Sequence, residues 1–328
     1  MNQRPNLTVD DYLNGVLAND RTVLAKTITL IESSSAKHHE LAEQVLTQLL
    51  NETGKSIRIG ITGIPGVGKS TFIESFGSYL TSHDHKVAVL AVDPSSAISG
   101  GSILGDKTRM EKLSRDPNAF IRPSPSGGTL GGVTRKTRET MLVCEAAGYD
   151  VILVETVGVG QSEIAVRSMV DFFLLLMLTG AGDELQGIKR GIMELADALV
   201  VNKADGNNSE PAHALAADFN KFLHYLQPAT EGWTTQALAC SSMTSDGIPE
   251  IWQMVTKFKQ LMNSSGQFEK RRRAQAKDWM YSMLESELLT GFRSHPKVKE
   301  QLPAIEQAVL SGELTPTAAV RKLIDLSQ

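Results

Sequence analysis

Apolar residues follow two rhythms along the chain. Up to residue 54 they recur at three- and four-residue spacing, as Leu13, Val16 and Leu17, then Leu24, Ile28 and Ile31, then Leu41, Val45, Leu46, Leu49 and Leu50. That period places them on one face of successive amphipathic helices. From Ile57 onward, the Ile-rich stretch 57–62 and short apolar runs at 87–92, 119–121, 151–154, 172–177, 198–201 and 237–240 alternate with amphipathic stretches and with loops bearing Gly, Pro and Asp. Runs that are apolar at every position suit strands buried on both faces, and strands alternating with helices make a parallel sheet. Beyond residue 263 the strand, Gly and Pro signals thin out, and 267–328 is polar, charged and helical in period. The expected organisation is an N-terminal helical segment (1–54), an α/β domain with a mostly parallel central sheet flanked by helices (55–262) and a C-terminal helical extension (263–328). The basic run at 270–273 reads as a solvated helix face. An extension outside a complete domain has a reason to exist if it docks on something, and dimerisation is the simplest expectation.

The run at 57–62 leads into Gly63-Ile64-Pro65-Gly66-Val67-Gly68-Lys69-Ser70-Thr71 and then a helical stretch. This strand, Gly-rich loop and helix order is that of a phosphate loop, so the α/β domain is expected to be a P-loop NTPase. Gly63, Gly66, Val67, Gly68 and Thr71 lie where backbone amides and the helix N-terminus would face a polyphosphate. Lys69 is expected to reach the β- and γ-phosphates and Ser70 to ligate Mg²⁺. The run at 151–154 ends in Glu155-Thr156-Val157-Gly158, a carboxylate at a strand tip that holds the metal directly or through water, followed by a glycine amide for the γ-phosphate. After the run at 198–201 comes Asn202-Lys203-Ala204-Asp205. Asp205 can accept hydrogen bonds from N1 and N2 of guanine, whereas adenine would leave it unpaired. Ser241 and Ser242 follow the last strand, where their loop could offer amides to the guanine oxygen. Asp93 reads as a strand-tip acid that orients water or metal, and Asp106, in the Gly-rich stretch 100–109, as a loop metal ligand. Gln161 lies three residues past Gly158, which leaves its role open, and Arg109, Arg122, Arg135 and Arg138 could supply a charge-stabilising finger but read more simply as arginines solvating loops.

Composition narrows the partners. With 41% hydrophobic and 21% charged residues and a formal charge of −4, the chain is an ordinary globular protein with no global electrostatic attraction to nucleic acid. Its two cysteines, Cys144 and Cys240, form no metal-binding pattern and are expected to be buried thiols. The first twenty residues carry Asp10, Asp11 and Asp20 without an apolar core, and the longest apolar run, 172–178, is too short to span a bilayer. The expectation is a cytoplasmic protein with no membrane partner.

The phosphate loop, together with Val92-Asp93-Pro94-Ser95-Ser96, the stretch from Gly100 to Met110, Glu155-Thr156-Val157-Gly158-Val159-Gly160-Gln161-Ser162-Glu163 and Gly182-Asp183-Glu184-Leu185-Gln186-Gly187-Ile188-Lys189, resembles the MeaB/ArgK family of G proteins. The resemblance spans nearly the whole chain and is weakest beyond residue 267. It implies a homodimeric, Mg²⁺-dependent GTPase that cycles between GTP and GDP and serves as chaperone to the adenosylcobalamin-dependent methylmalonyl-CoA mutase, gating cofactor loading and protecting the mutase. By position it carries over Lys69 and Ser70 as phosphate and metal ligands, and Asp93, Asp106 and Glu155 as the acidic metal and water set. Asn202, Lys203 and Asp205 carry over as guanine readers, and Lys189 as the charged contact of an additional switch at 183–189. Two other readings compete. An ATPase or kinase of lysine, arginine and ornithine transport predicts ATP preference, against which Asp205 argues. A metal-delivering G protein predicts a Cys- or His-rich cluster, which the sequence lacks.

Overall fold

The computed structural model describes residues 7–33, 35–92, 110–123, 130–156, 162–180 and 190–327. The chain forms two compact units, Met1–Arg272 and Arg273–Gln328. In the first, strands β1 (Ile57–Gly63), β2 (Val87–Val92), β3 (Ala119–Arg122), β4 (Val151–Thr156), β5 (Phe172–Met177), β6 (Ala198–Val201) and β7 (Gln236–Ala239) form one sheet in the order β3-β2-β4-β1-β5-β6-β7. All neighbouring pairs are parallel. The described helices of this unit are α1 (Val9–Leu17), α2 (Arg21–Glu32), α3 (Ala36–Leu49), α4 (Lys69–Thr81), α5 (Glu111–Arg115), α6 (Leu130–Ala146), α7 (Ser162–Arg167), α8 (Arg190–Met193), α9 (Ser209–Leu223) and α10 (Ile248–Ser264). Helix α11 (Gln267–Ser294) begins in the first unit and mostly belongs to the second, with α12 (Pro296–Leu310) and α13 (Pro316–Leu326).

Each apolar run of the sequence becomes a strand because it has two faces to bury. Ile57, Ile59, Ile61, Val89 and Leu153 point to one layer, against Phe72 and Phe76 of α4 and Phe258 of α10. The alternate residues, Ala88, Leu90, Ile152 and Val154, point to the other, against Met141 of α6, Val166 of α7, and Leu24, Ile28 and Val45 of α2 and α3. Leu24, Ile28 and Val45 are fully buried, worth about 1.5–3 kcal/mol each. Apolar burial therefore holds the N-terminal helices on the sheet, where local propensity alone would leave helices of this length marginal. Their starts are set locally. Thr8 and Asp11 form a capping box at α1, and Asp20 Oδ1 accepts from the amides of Thr22 and Val23 at α2 (2.8 and 3.1 Å).

Two sequence expectations change. Leu17 and Leu50 continue the helical apolar rhythm but are half-exposed, because each sits where its helix ends and the chain turns away from the core. The basic run is not a uniformly solvated face. Arg272 pairs with Asp171 at 2.6 Å and donates to the carbonyls of Gly54 and Ser56 (3.0 and 2.9 Å), while Arg271 donates to the Asp171 carbonyl and the Thr230 hydroxyl. The first turns of α11 meet the amino ends of β1 and β5, where the buried Asp171 requires a cation. Among the described residues no helix is long and apolar enough to cross a membrane.

Candidate functional site

The carboxyl edge of the sheet gathers the described residues that the sequence singles out. β1 ends at Gly63 and α4 begins at Lys69, and between them Gly66 and Gly68 take φ angles of 79° and 93°. Gly68 has no room for a side chain, since a Cβ there would lie 2.9 Å from Asn202 Nδ2. Val67 is buried and anchors the loop, whereas Thr71 is exposed at the start of α4. Lys69 folds back over the loop, its Nζ donating to the carbonyls of Gly63 (2.8 Å) and Ile64 (3.4 Å). Burial lowers the pKa of this ammonium, and the negative charges of Glu155 and Glu163 partly restore it. A polyanion arriving at the loop would supply the charge that Lys69 lacks.

Glu155 lies one residue further inside the sheet than a strand tip, because β4 continues to Thr156 and pairs Glu155 with Ile61 of β1 and Ala91 of β2. Its side chain is buried, and the Ser70 hydroxyl donates to Oε1 at 3.4 Å. Behind it Thr156 donates to Thr62 at 2.8 Å, a buried hydroxyl pair that ties the ends of β4 and β1. Ser70 and Glu155 thus present two hard oxygens to one point beside the phosphate loop, the donor type that Mg²⁺ takes.

The residues after β6 bind the phosphate loop directly. Asn202 Nδ2 donates to the Val67 carbonyl at 2.9 Å and Lys203 Nζ to the Gly66 carbonyl at 2.9 Å. Asn202 Oδ1 accepts from the amide and hydroxyl of Ser242 (3.3 and 2.7 Å). The Ser241 hydroxyl donates to Asp205 Oδ2 at 2.7 Å, which aims the carboxylate. Sequence reasoning expected the backbone of Ser241 and Ser242 to matter and missed this hydroxyl. The amide of Ser241 is already engaged with the Asp246 carbonyl at 2.9 Å. Asp246 and Gly247 close the turn into α10, where Gly247 takes a φ of 78° and a Cβ would fall 2.4 Å from the Ala239 carbonyl.

Asp93, Asp106, Gly158, Gln161 and Lys189 lie outside the described residues. Arg122 is held by Glu32, Arg135 by Glu139 at 3.2 Å, and Arg138 donates to Ser168 (2.7 and 2.9 Å). Glu163, which the sequence reading did not single out, is fully buried in α7 and acts electrostatically on Lys69. Its signal was present, an acid one residue inside a helix that follows the Glu155 motif. Cys144 and Cys240 are both buried, and burial pushes the Cys240 thiol up to about 12.

The chain as a whole is similar to known proteins. A model of the family described as methylmalonyl Co-A mutase-associated GTPase MeaB matches residues 24–297. The mouse methylmalonic aciduria type A homolog, mitochondrial, is 47% identical over 326 residues, covering 96% of this chain and 79% of its own. The GTPase ArgK of Escherichia coli is 43% identical over 321 residues, covering 98% and 97%. A solved structure described as LAO/AO transport system kinase has a TM-score of 0.78 and 36% identity, with 99% of each chain covered. The chain is a P-loop GTPase and belongs to the MeaB family of methylmalonyl-CoA mutase-associated GTPases.

Proposed function

We propose that this GTPase is a Mg²⁺-dependent, homodimeric chaperone of the cytoplasm that gates adenosylcobalamin loading into methylmalonyl-CoA mutase and protects the loaded enzyme. The family name supports the mutase as partner. The observation that carries the nucleotide chemistry is the bonding of Asn202 and Lys203 to the carbonyls of Val67 and Gly66. Base reading and phosphate binding then share one rigid frame, and a change at the γ-phosphate does not loosen the base.

In this reading Lys69 exchanges its two carbonyl partners for β- and γ-phosphate oxygens, and the backbone amides of Gly63 and of 66–71 surround the phosphates. Ser70 and Glu155, with Asp93 and Asp106, would hold Mg²⁺, which would supply charge neutralisation at the phosphates. Asp93 orients the water that attacks the γ-phosphorus, the bond to the β–γ bridging oxygen breaks, and GDP and phosphate are released. Gly158 and Lys189 sense the γ-phosphate and pass its loss to the partner. Dimerisation is supported by the second unit, where Met280, Tyr281, Leu284 and Leu288 recur at helical spacing on α11 and are half-exposed or more.

The test is a binding titration of GTP, GDP, ATP and xanthosine triphosphate to wild type and Asp205→Asn, followed by capture of purified mutase in each nucleotide state. Guanine preference in wild type, its transfer to xanthine in the variant and nucleotide-dependent mutase capture are expected. Equal binding of ATP and GTP, unchanged by Asp205→Asn, would instead favour the transport ATPase or kinase.

A further inference from the structure

Lys203 takes a φ of 62°, a left-handed conformation that is strained for a residue with a Cβ. Something must hold it there. Its neighbours are fixed on both sides, Asn202 by its amide to the Met177 carbonyl and Ala204 by its amide to the Cys240 carbonyl, each at 2.9 Å. The Lys203 carbonyl itself is held by Asn208, whose Nδ2 donates to it at 2.7 Å. The backbone amide of the same Asn208 donates to the Asp205 carbonyl at 3.0 Å. One residue therefore grips the base-reading loop at both Lys203 and Asp205.

The orientation of the Asn208 amide follows from chemistry. A carbonyl only accepts, so Nδ2 must face Lys203, which leaves Oδ1 to accept from a donor. That donor is the hydroxyl of Thr179, two residues past the end of β5. Thr179, Asn208 and Lys203 form a polar chain from β5 to the base-reading loop. None of the three motifs includes Asn208 or Thr179.

We propose that Asn208 is a positioning residue for guanine recognition, holding Lys203 left-handed and Asp205 in register, with Thr179 orienting its amide. The inference rests on Asp205 reading the base. Without the Asn208 side chain the Lys203 carbonyl is released and the strained conformation relaxes, which displaces Asp205 from the guanine edge.

A double-mutant cycle on the full chain tests this, with dissociation constants for GDP and IDP, steady-state GTP hydrolysis and thermal midpoints measured for wild type, Asn208→Ala, Lys203→Gly and the double variant. Glycine adopts a positive φ without strain, so Lys203→Gly removes the demand that Asn208 meets. Asn208→Ala is expected to weaken GDP about tenfold, to narrow the GDP-to-IDP preference, because inosine lacks the exocyclic 2-amino group that Asp205 reads, and to raise KM while leaving kcat in place. In the Lys203→Gly background the same change should fall below about twofold. Thr179→Val should act in the same direction and more weakly. Should Asn208→Ala fail to fold, Asn208→Asp keeps the volume and turns a carboxylate oxygen onto the Lys203 carbonyl, and the same loss is expected. Equal loss in both backgrounds, or a loss that follows the thermal midpoint alone, overturns the proposal. Asp205→Asn is the control. If it moves preference to xanthine while Asn208→Ala changes neither affinity nor base preference, only the role of Asn208 falls; if it leaves guanine preference intact, the base-reading assignment falls and this inference with it.

Discussion

The two ends of the sheet are built from similar charged residues and use them differently. At the carboxyl edge charged side chains meet neutral partners, Lys69 the carbonyls of Gly63 and Ile64 (2.8 and 3.4 Å), Lys203 the Gly66 carbonyl (2.9 Å) and Glu155 the Ser70 hydroxyl (3.4 Å). At the amino edge Arg58 pairs with Glu145 through two bonds of 2.9 Å, Arg272 grips both oxygens of Asp171 at 2.9 and 2.6 Å, and Arg167 holds Asp197 at 3.0 Å. The side chains of Glu145, Asp171 and Asp197 are essentially inaccessible. A bond from a charged group to a neutral partner can be exchanged for a ligand contact at modest cost, whereas closed buried ion pairs cannot be opened without stranding a charge. The comparison predicts a division of labour, with nucleotide chemistry on one edge and fold stability on the other.

The largest effect should come from breaking the amino edge. Asp171 accepts from the Arg58 amide at 2.9 Å as well as from Arg272, so Asp171→Ala leaves a largely enclosed guanidinium without its carboxylate and the Arg58 amide without its acceptor. A loss of about 3–5 kcal/mol is expected in urea unfolding, with the folded fraction binding GDP as wild type does. If nucleotide affinity fell as far as stability did, the two edges would not be separable.

The converse experiment acts on the carboxyl edge. Lys69→Ala should lower kcat/KM for GTP by roughly a hundredfold or more, because a charge-assisted contact made in the transition state is lost. Unfolding free energy should change by less than about 1 kcal/mol, since Lys69 is constrained by its own loop carbonyls and its charge is disfavoured by burial. Comparable losses in both measurements would make Lys69 a structural residue first.

How much of this was legible in the sequence follows the same division. The phosphate loop and the Asn202–Asp205 motif are local strings, each following its own strand, so their chemistry is encoded by neighbours in sequence. Most strands were legible because burial on both faces leaves an apolar run, and β1, where Arg58 and Thr62 intervene, because three isoleucines alternate ahead of the phosphate loop. The amino edge was not, because Arg58 meets Glu145 across 87 positions and Arg272 meets Asp171 across 101. No spacing rule brings such residues together before the sheet order is known, and so the basic run at 270–273 looked like a solvated helix face. Asn208 and Thr179 are 29 positions apart, and an asparagine before a helix reads as an ordinary cap.

The smallest effect expected is a pH dependence at Glu145. Burial alone would raise the pKa of this carboxyl, but the two Arg58 bonds, the charge of Arg272 and the Ser56 hydroxyl outweigh it, and the group sits below its ordinary value. A carboxyl lowered on folding contributes stability that is fully present above its unfolded pKa and is lost as pH falls through the folded one. The difference in unfolding free energy between wild type and Glu145→Gln should therefore be flat from neutral pH down to about pH 4.5. Below that it should shrink by no more than about 1.4 kcal/mol per pH unit, the limit set by one proton. Urea midpoints for the two proteins between pH 7 and pH 3 would record it, read at constant ionic strength because Arg58 and Arg272 are only partly buried. A difference that grew on acidification would mean that Glu145 is protonated in the folded protein, and the amino edge would then be held by neutral hydrogen bonds instead of by charge.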